Sequence, residues 1–460
     1  MFAAVVAVTL AAAPTVFMNG HVPSAADSQS MAALGASGVR MDFNWFDFEP
    51  QQGRFEWGVL DAAVDGARAN GLRVFATVAY TPQWASSVAS CTPFASTDAA
   101  KCENKVPDVA AWRAAVTAVV TRYRGRVECW GIWNEPNLRT FFDGTMDAYV
   151  DSVFLPAAAA IRAADPQARI CGPELAGLAA SSQWNGDQGT CAFGGCIRNG
   201  WERDLGQLLE RIGPHLDVIT QHVYKGDAAG VMQMLLDGET SFGVLTHDAV
   251  KNVIASKGYA GREFWLTEVG WEHPPQGSTQ LADVATRIVD LYTKQEEVCG
   301  GRYAASLNDP WPNWTRTYYF HFPYDPGSGW GLVGPNQTAL APYSALQNWA
   351  ANRTTTSCAG PDAGVVVADA GVDAGTPVVD AGQVTPPDAG LPDAGPVEER
   401  DAGAMSGVDA GAPSGVDAGA PAVATDAGAD PEMPPASGGC GCTTVDPLAL
   451  VALLAALRRR

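Results

Sequence analysis

Basic side chains are scarce: 29 Lys and Arg stand against 50 Asp and Glu, a net charge of −21. That deficit excludes nucleic acid as an expected partner, because no positive stripe is present to release counterions from a phosphate backbone. The six histidines show no metal-ligand spacing, and no glycine-rich phosphate loop follows an early apolar run, so neither a metal nor a cofactor is expected. Aromatic residues are missing from 354–439, a stretch of Ala, Gly, Pro, Val and a recurring Asp-Ala-Gly triplet. Without them it cannot bury enough apolar surface to fold alone, and it reads as a disordered linker.

What is present lies mostly before that break. Residues 14–353 carry the material of one large core, and the acidic excess is shared, since 354–460 hold 15 acidic and 4 basic side chains. Of the ten cysteines, the close pairs Cys91/Cys102 and Cys191/Cys196 sit in polar, loop-like surroundings that suit disulfides in an oxidising compartment. Cys299 and Cys358 could tie the end of the core to the start of the linker, whereas Cys129 and Cys171, in apolar strand-like runs, read as buried thiols. Residues 1–13 form an apolar run ending in Ala-Ala-Ala-Pro, as in a partial signal segment without its basic start. After residue 439 come Cys440 and Cys442, the short apolar run Pro447–Leu457 and Arg458–Arg460. That run is too short to span a bilayer comfortably and reads as a sorting or anchoring segment.

Short apolar runs alternate with amphipathic stretches through the first part, the pattern of repeated βα units. Eight strands are expected, at 15–19, 38–43, 72–79, 127–133, 169–172, 218–222, 263–267 and 317–322. Helices are expected at 61–70, 110–122, 146–164, 201–212, 246–255, 281–297 and 343–350. Eight such units predict an α/β fold, a (β/α)₈ TIM barrel followed by the low-complexity tail, over a doubly wound open sheet.

In such a barrel chemistry collects at the C-terminal strand ends. These are polar here: Arg40 and Asp42 on strand two, Asn134-Glu135 after strand four, His222 and Tyr224 at strand six, Glu268 at strand seven. Cleaving a glycosidic bond needs a proton donor and a group that stabilises or traps the sugar cation, and Glu135 and Glu268 could supply both across the mouth. Arg40 would keep Glu268 ionised, and that charge would raise the pKa of Glu135. Tyr224 could bond the nucleophile, His222 could read sugar hydroxyls, and Asn134 the 2-hydroxyl. Trp45, Trp84, Trp271 and Trp330 are candidate platforms for the apolar faces of a carbohydrate.

Trp-Asn-Glu-Pro-Asn at 133–137 and Thr-Glu-Val-Gly-Trp at 267–271 together resemble the clan A retaining glycoside hydrolases, above all the cellulase-like and family 39-like members. The resemblance runs from about Asn19 to Tyr343, where Gly331-Leu-Val333 and Ala341-Pro-Tyr343 are also similar. It implies Glu135 as acid/base, Glu268 as nucleophile, Asn134 on the 2-hydroxyl, Arg40, His222 and Tyr224 as support, and retention through a covalent intermediate. The chain departs from the family at Tyr80-Thr-Pro-Gln-Trp84, where histidine is common, and at strand eight, which reads Tyr-Tyr-Phe-His-Phe without a closing tryptophan. His321, Asp325 and Trp330 are candidates for that missing role. The end of the chain resembles myxobacterial C-terminal sorting signals, which implies Cys440 or Cys442 as the processed position. The expectation is a secreted, surface-anchored monomer acting on a β-linked polysaccharide; a surface adhesin that holds carbohydrate without cutting it is the alternative.

Overall fold

The computed structural model describes residues 16–177, 182–185, 200–241, 244–274, 277–300, 303, 311–325, 327 and 329–353. All eight expected strands form within them: β1 Val16–His21, β2 Gly38–Asn44, β3 Arg73–Ala79, β4 Cys129–Ile132, β5 Arg169–Leu175, β6 Val218–His222, β7 Glu263–Val269 and β8 Trp314–Tyr319. Their near-continuous burial is that of parallel strands covered on both faces. They close into a barrel in the order β1-β8-β7-β6-β5-β4-β3-β2, every neighbour parallel.

Each strand is followed by helix: α1 Ala25–Leu34, which was not among the expected helices, α2 Gly58–Ala69, α3 Val109–Arg122, α4 from Met146 to Ala164, α5 Gly200–Ile212, α6 Val250–Ser256, α7 Leu281–Cys299 and α8 Ala341–Asn352, with further short helices at Trp45–Phe48 after β2 and Ala228–Met232 after β6. The sequence writes their ends. Ser24 and Asp27 form a reciprocal cap at the start of α1, and Gly35, at φ 102°, closes it in the left-handed region. Leu60, Ala63, Val64 and Ala67 give α2 the one-sided spacing that buries it on the barrel. Within α4, Tyr149–Phe154 winds in wider turns. The helix expected from Thr246 starts only at Val250, because Val244–His247 pairs with Glu239–Ser241 as an antiparallel hairpin. Asp248 then accepts from the Ala249 N–H and the Asn252 amide, marking the helix entry.

The two-residue period of a strand sorts inward side chains into layers. Phe17, Phe75, Cys129, Cys171, Val218, Trp265 and Tyr318 pack as one buried apolar floor. Two residues further along the same strands stand Asn19, Thr77, Thr220 and Thr267, all buried and polar. The floor is closed beneath by Arg316, whose guanidinium lies 4.0 Å from the Trp265 ring centre and pairs with Glu128.

Cys91 and Cys102 are disulfide-bonded as expected. Cys129 and Cys171 are not free thiols: they form a second disulfide. Register explains it, since Gly131 pairs with Cys171 and Cys129 with Arg169 on adjacent strands. Both cysteines therefore face inward in the same layer, with Cα atoms 6.0 Å apart. Cys299 is disulfide-bonded, while Cys358, Cys191 and Cys196 lie outside the described residues, as do the expected signal segment before Val16, the linker and the C-terminal segment. Among the described residues no helix is long and apolar enough to cross a membrane.

The bond between Cys129 and Cys171 closes a sequence separation of 42 residues, for which chain entropy alone gives roughly 4 kcal/mol. Guanidinium unfolding of the Cys129→Ala/Cys171→Ala protein is expected to show a loss approaching that figure. Thiol titration of the unreduced, unfolded wild type should detect neither cysteine.

Candidate active site

The mouth of the barrel is organised by Arg40, buried at the level of the polar layer. Its Nε and Nη2 both reach Glu174 Oε2 at 2.8 Å. Nη1 donates to Glu268 Oε1 at 2.8 Å and to Asn19 Oδ1 at 3.0 Å, and Nη2 to Asn134 Oδ1 at 2.7 Å. Glu174 also accepts from Thr267 Oγ1 at 2.9 Å, and its backbone N–H donates to Thr220 Oγ1 at 2.9 Å. Buried charges persist only when paired and hydrogen-bonded, and Arg40 and Glu174 satisfy each other that way.

Glu268, next to the last residue of β7, takes a second donor, the Tyr224 hydroxyl at 2.8 Å from Oε2. Glu135 follows β4 in a left-handed backbone, φ 42°, and its N–H donates to the Glu174 carbonyl at 2.9 Å. Such a conformation is uncommon outside glycine and persists where the surroundings enforce it. Its Oε1 lies 2.9 Å from His222 Nδ1, and the same nitrogen is 3.5 Å from Glu268 Oε2. His222 thus stands between the two carboxyls, with Nε2 3.6 Å from Glu174.

These contacts set protonation. Burial penalises the Glu174 anion, but Arg40 overrides it and holds the carboxyl down to about 2. Burial would also depress His222, yet Glu268, the hydrogen-bonded Glu135 and the nearby Glu174 bring it up to about 10, so it is cationic at neutral pH. Glu135 is raised, chiefly by burial and further by Glu268, against the pull of His222. Two cations therefore face three carboxyls, and the carboxyl that receives no bond from Arg40 is the one whose proton affinity is raised. One ligand atom each from Glu135, His222 and Glu268 lie within 4.8 Å of one another, a grouping compact enough for a cation. A protonated His222 donates instead of ligating and fills that place itself.

The structure brings together six of the residues expected from sequence: Arg40, Asn134, Glu135, His222, Tyr224 and Glu268. The four tryptophans divide. Trp330 borders the site, its ring 5.6 Å from Tyr224 and 5.5 Å from Phe320. Trp45 is fully buried against Trp84 and Trp112, and Trp271 is buried with its indole donating to the Lys225 carbonyl, so neither offers a face to a sugar. Trp84 is half-buried and tied to the Glu49 carbonyl. His321 lies against His21, ring centres 5.0 Å apart, with Asp325 3.9 Å away. Asp42 pairs with His21 at 2.7 Å, not with Arg40.

The profile of glycosyl hydrolases family 39 matches residues 42–281, just over half of the chain. The chain belongs to glycosyl hydrolase family 39. As a member of that family it is an O-glycosyl hydrolase. A family 39 β-xylosidase from Caulobacter crescentus superposes with a TM-score of 0.51 at 19% identity, covering 73% of this chain and 71% of that one. A family 39 glycoside hydrolase from Bacteroides cellulosilyticus WH2 gives 0.48 at 15%, covering 74% and 63%, so this chain spans less than two thirds of that protein. Xylanase 10B from Thermotoga petrophila gives 0.45 at 14%, covering 73% and 93%. No curated protein sequence matches the chain.

Sequence reasoning missed Glu174, Asn19 and His21 in this family 39 site. The available signal for Glu174 was a lone acid inside the apolar run from Ile170 to Leu175, hidden because Gly172-Pro173 was read as the strand's end. Glu174→Gln should destabilise the fold by roughly 3 kcal/mol, the lower end for a broken buried pair because Arg40 keeps Glu268. Because the folded-state value lies below the ordinary one of 4.5, wild type has this stabilisation in full above that value and loses it towards about 2. Chemical denaturation at stepped pH should therefore show the gap between the two proteins narrowing as pH falls below 4.5.

Proposed function

We propose that the protein is a retaining glycosidase, secreted and held at the outer cell surface as a monomer, that cuts a β-linked extracellular polysaccharide or its oligosaccharides. The observation that carries the reaction class is the position of His222 Nδ1, 2.9 Å from Glu135 and 3.5 Å from Glu268. One oxygen of each carboxyl lies within 4.8 Å of the other, which favours the close spacing that suits a covalent intermediate.

Glu135, protonated, donates to the departing glycosidic oxygen while Glu268 attacks the anomeric carbon. The anion left on Glu135 is met by cationic His222, and Glu135 then takes a proton from the water that releases the sugar. Arg40 holds Asn134 by its oxygen, which leaves the amide N–H free to donate to the sugar 2-hydroxyl. The secreted location is supported by the disulfides, and attachment by the Asp-Ala-Gly linker, the cysteines at 440 and 442 and the apolar run beyond them. A xylan or glucan is favoured as polymer, in keeping with the xylosidase among the similar structures.

Assay of the full chain on β-linked oligosaccharides and aryl glycosides tests this. Glu135→Gln and Glu268→Gln should each lose activity by orders of magnitude while staying folded, and NMR should find the first product with unchanged anomeric configuration. Because Glu135 works protonated and is raised, kcat/KM should fall on an alkaline limb centred above 4.5. Equal carbohydrate binding without hydrolysis in all three proteins would replace the enzyme by an adhesin.

A further inference from the structure

One row of rings beside the mouth has no part in the chemistry above. Tyr80 follows β3 in the left-handed region, φ 72°, and its hydroxyl lies in the field of Asp42 and Glu135. Phe46 lies 6.2 Å from it with ring planes 30° apart, and Phe94 meets Phe46 edge-on at 5.1 Å. Phe141 backs Tyr80 at 6.4 Å. Exposure grows outward along the row: Phe141 is 8% exposed, Tyr80 and Phe46 are half-buried, and Phe94 is 43% exposed.

Phe94 is not carried on a loose loop. Cys91 and Cys102 bridge its segment, its N–H donates to Glu103 Oε1 at 2.6 Å, and Thr92 donates to the Ala100 carbonyl. Asp98 joins the same loop to Lys101, Lys105 and Thr140. A loop fixed this firmly holds an apolar ring in solvent, in a row that runs through Phe46 to Tyr80, whose ring meets that of Trp133, the residue preceding Asn134-Glu135, at 5.9 Å. Isolated exposed rings need no explanation, whereas contiguous exposed apolar surface marks interaction sites.

We propose that Phe94, Phe46 and Tyr80 form a second sugar position, next to the one at which the bond is cut, that stacks an adjoining unit of the same carbohydrate chain. The rings present flat apolar faces to the C–H faces of a sugar. Asp47 beside Phe46 and Glu103 beside Phe94 set a neutral unit over a uronate, because a second carboxylate there meets like charge. The inference rests on the glycosidase reading and deepens it: the enzyme acts on chains rather than on single terminal residues alone.

The test compares wild type with Phe94→Ala and Phe46→Ala on aryl monoglycosides and on cello- and xylo-oligosaccharides of two to six units. The advantage in kcat/KM of a four-unit chain over the monoglycoside should shrink roughly tenfold in each variant. Calorimetry adds affinities for the uncleaved six-unit chains in the Glu135→Gln protein with and without Phe94→Ala, where a similar loss is expected. An unchanged chain-length advantage overturns the second sugar position while leaving the glycosidase in place. If wild type cuts nothing, the glycosidase reading fails, and affinity still decides this one: equal values in both proteins, including no binding to either, overturn it.

Discussion

A guanidinium buried inside a barrel must be surrounded by acceptors, and the upper half of this molecule is arranged around meeting that demand at Arg40. Asn19 from β1, Asn134 after β4, Glu174 from β5 and Glu268 from β7 all converge on one side chain. Each is a separate excursion of the chain, so the interaction fixes the relative height of four strands as well as a charge. The apolar floor from Phe17 to Tyr318 excludes water from below and strengthens the electrostatic contacts above it.

From that anchor the division of labour between the glutamates follows. Arg40 commits its charge to Glu174 and Glu268, and His222 supplies the second cation between Glu268 and Glu135. What remains is one carboxyl too many for the available positive charge, and it is at Glu135 that proton affinity rises. The backbone cooperates, since the Glu135 N–H bonds the Glu174 carbonyl and the Val223 N–H bonds the Glu268 carbonyl, so the strand ends carrying the carboxyls are clamped to their neighbours. Glu174 thus supports the site twice, through its carboxylate on Arg40 and through its carbonyl on Glu135.

The barrel was legible in the sequence because parallel strands buried on both faces leave unbroken apolar runs, whereas the first helix, Ala25–Leu34, was missed although Ser24 and Asp27 mark its start. The polar strand ends were legible for the opposite reason: Arg40, His222 and Glu268 interrupt those runs where a barrel places its chemistry. What escaped depended on register or burial, which no local pattern carries. The disulfide of Cys129 with Cys171 needs the stagger of β4 against β5. Trp45 and Trp330 sit in equally loop-like sequence, yet one is sealed under Trp84 and Trp112 and the other faces Tyr224. Glu174 was hidden by a proline that the strand simply includes.

Mass mapping after incubation with 2-deoxy-2-fluoro glycosyl fluorides of xylose and glucose, which slow release of the covalent sugar, tests the central claim most directly. If Arg40 and His222 divide the carboxyls as described, an adduct of one fluorosugar accumulates on the peptide containing Glu268 and on no other. An adduct on Glu135, or turnover that yields product of inverted configuration, would contradict the assignment.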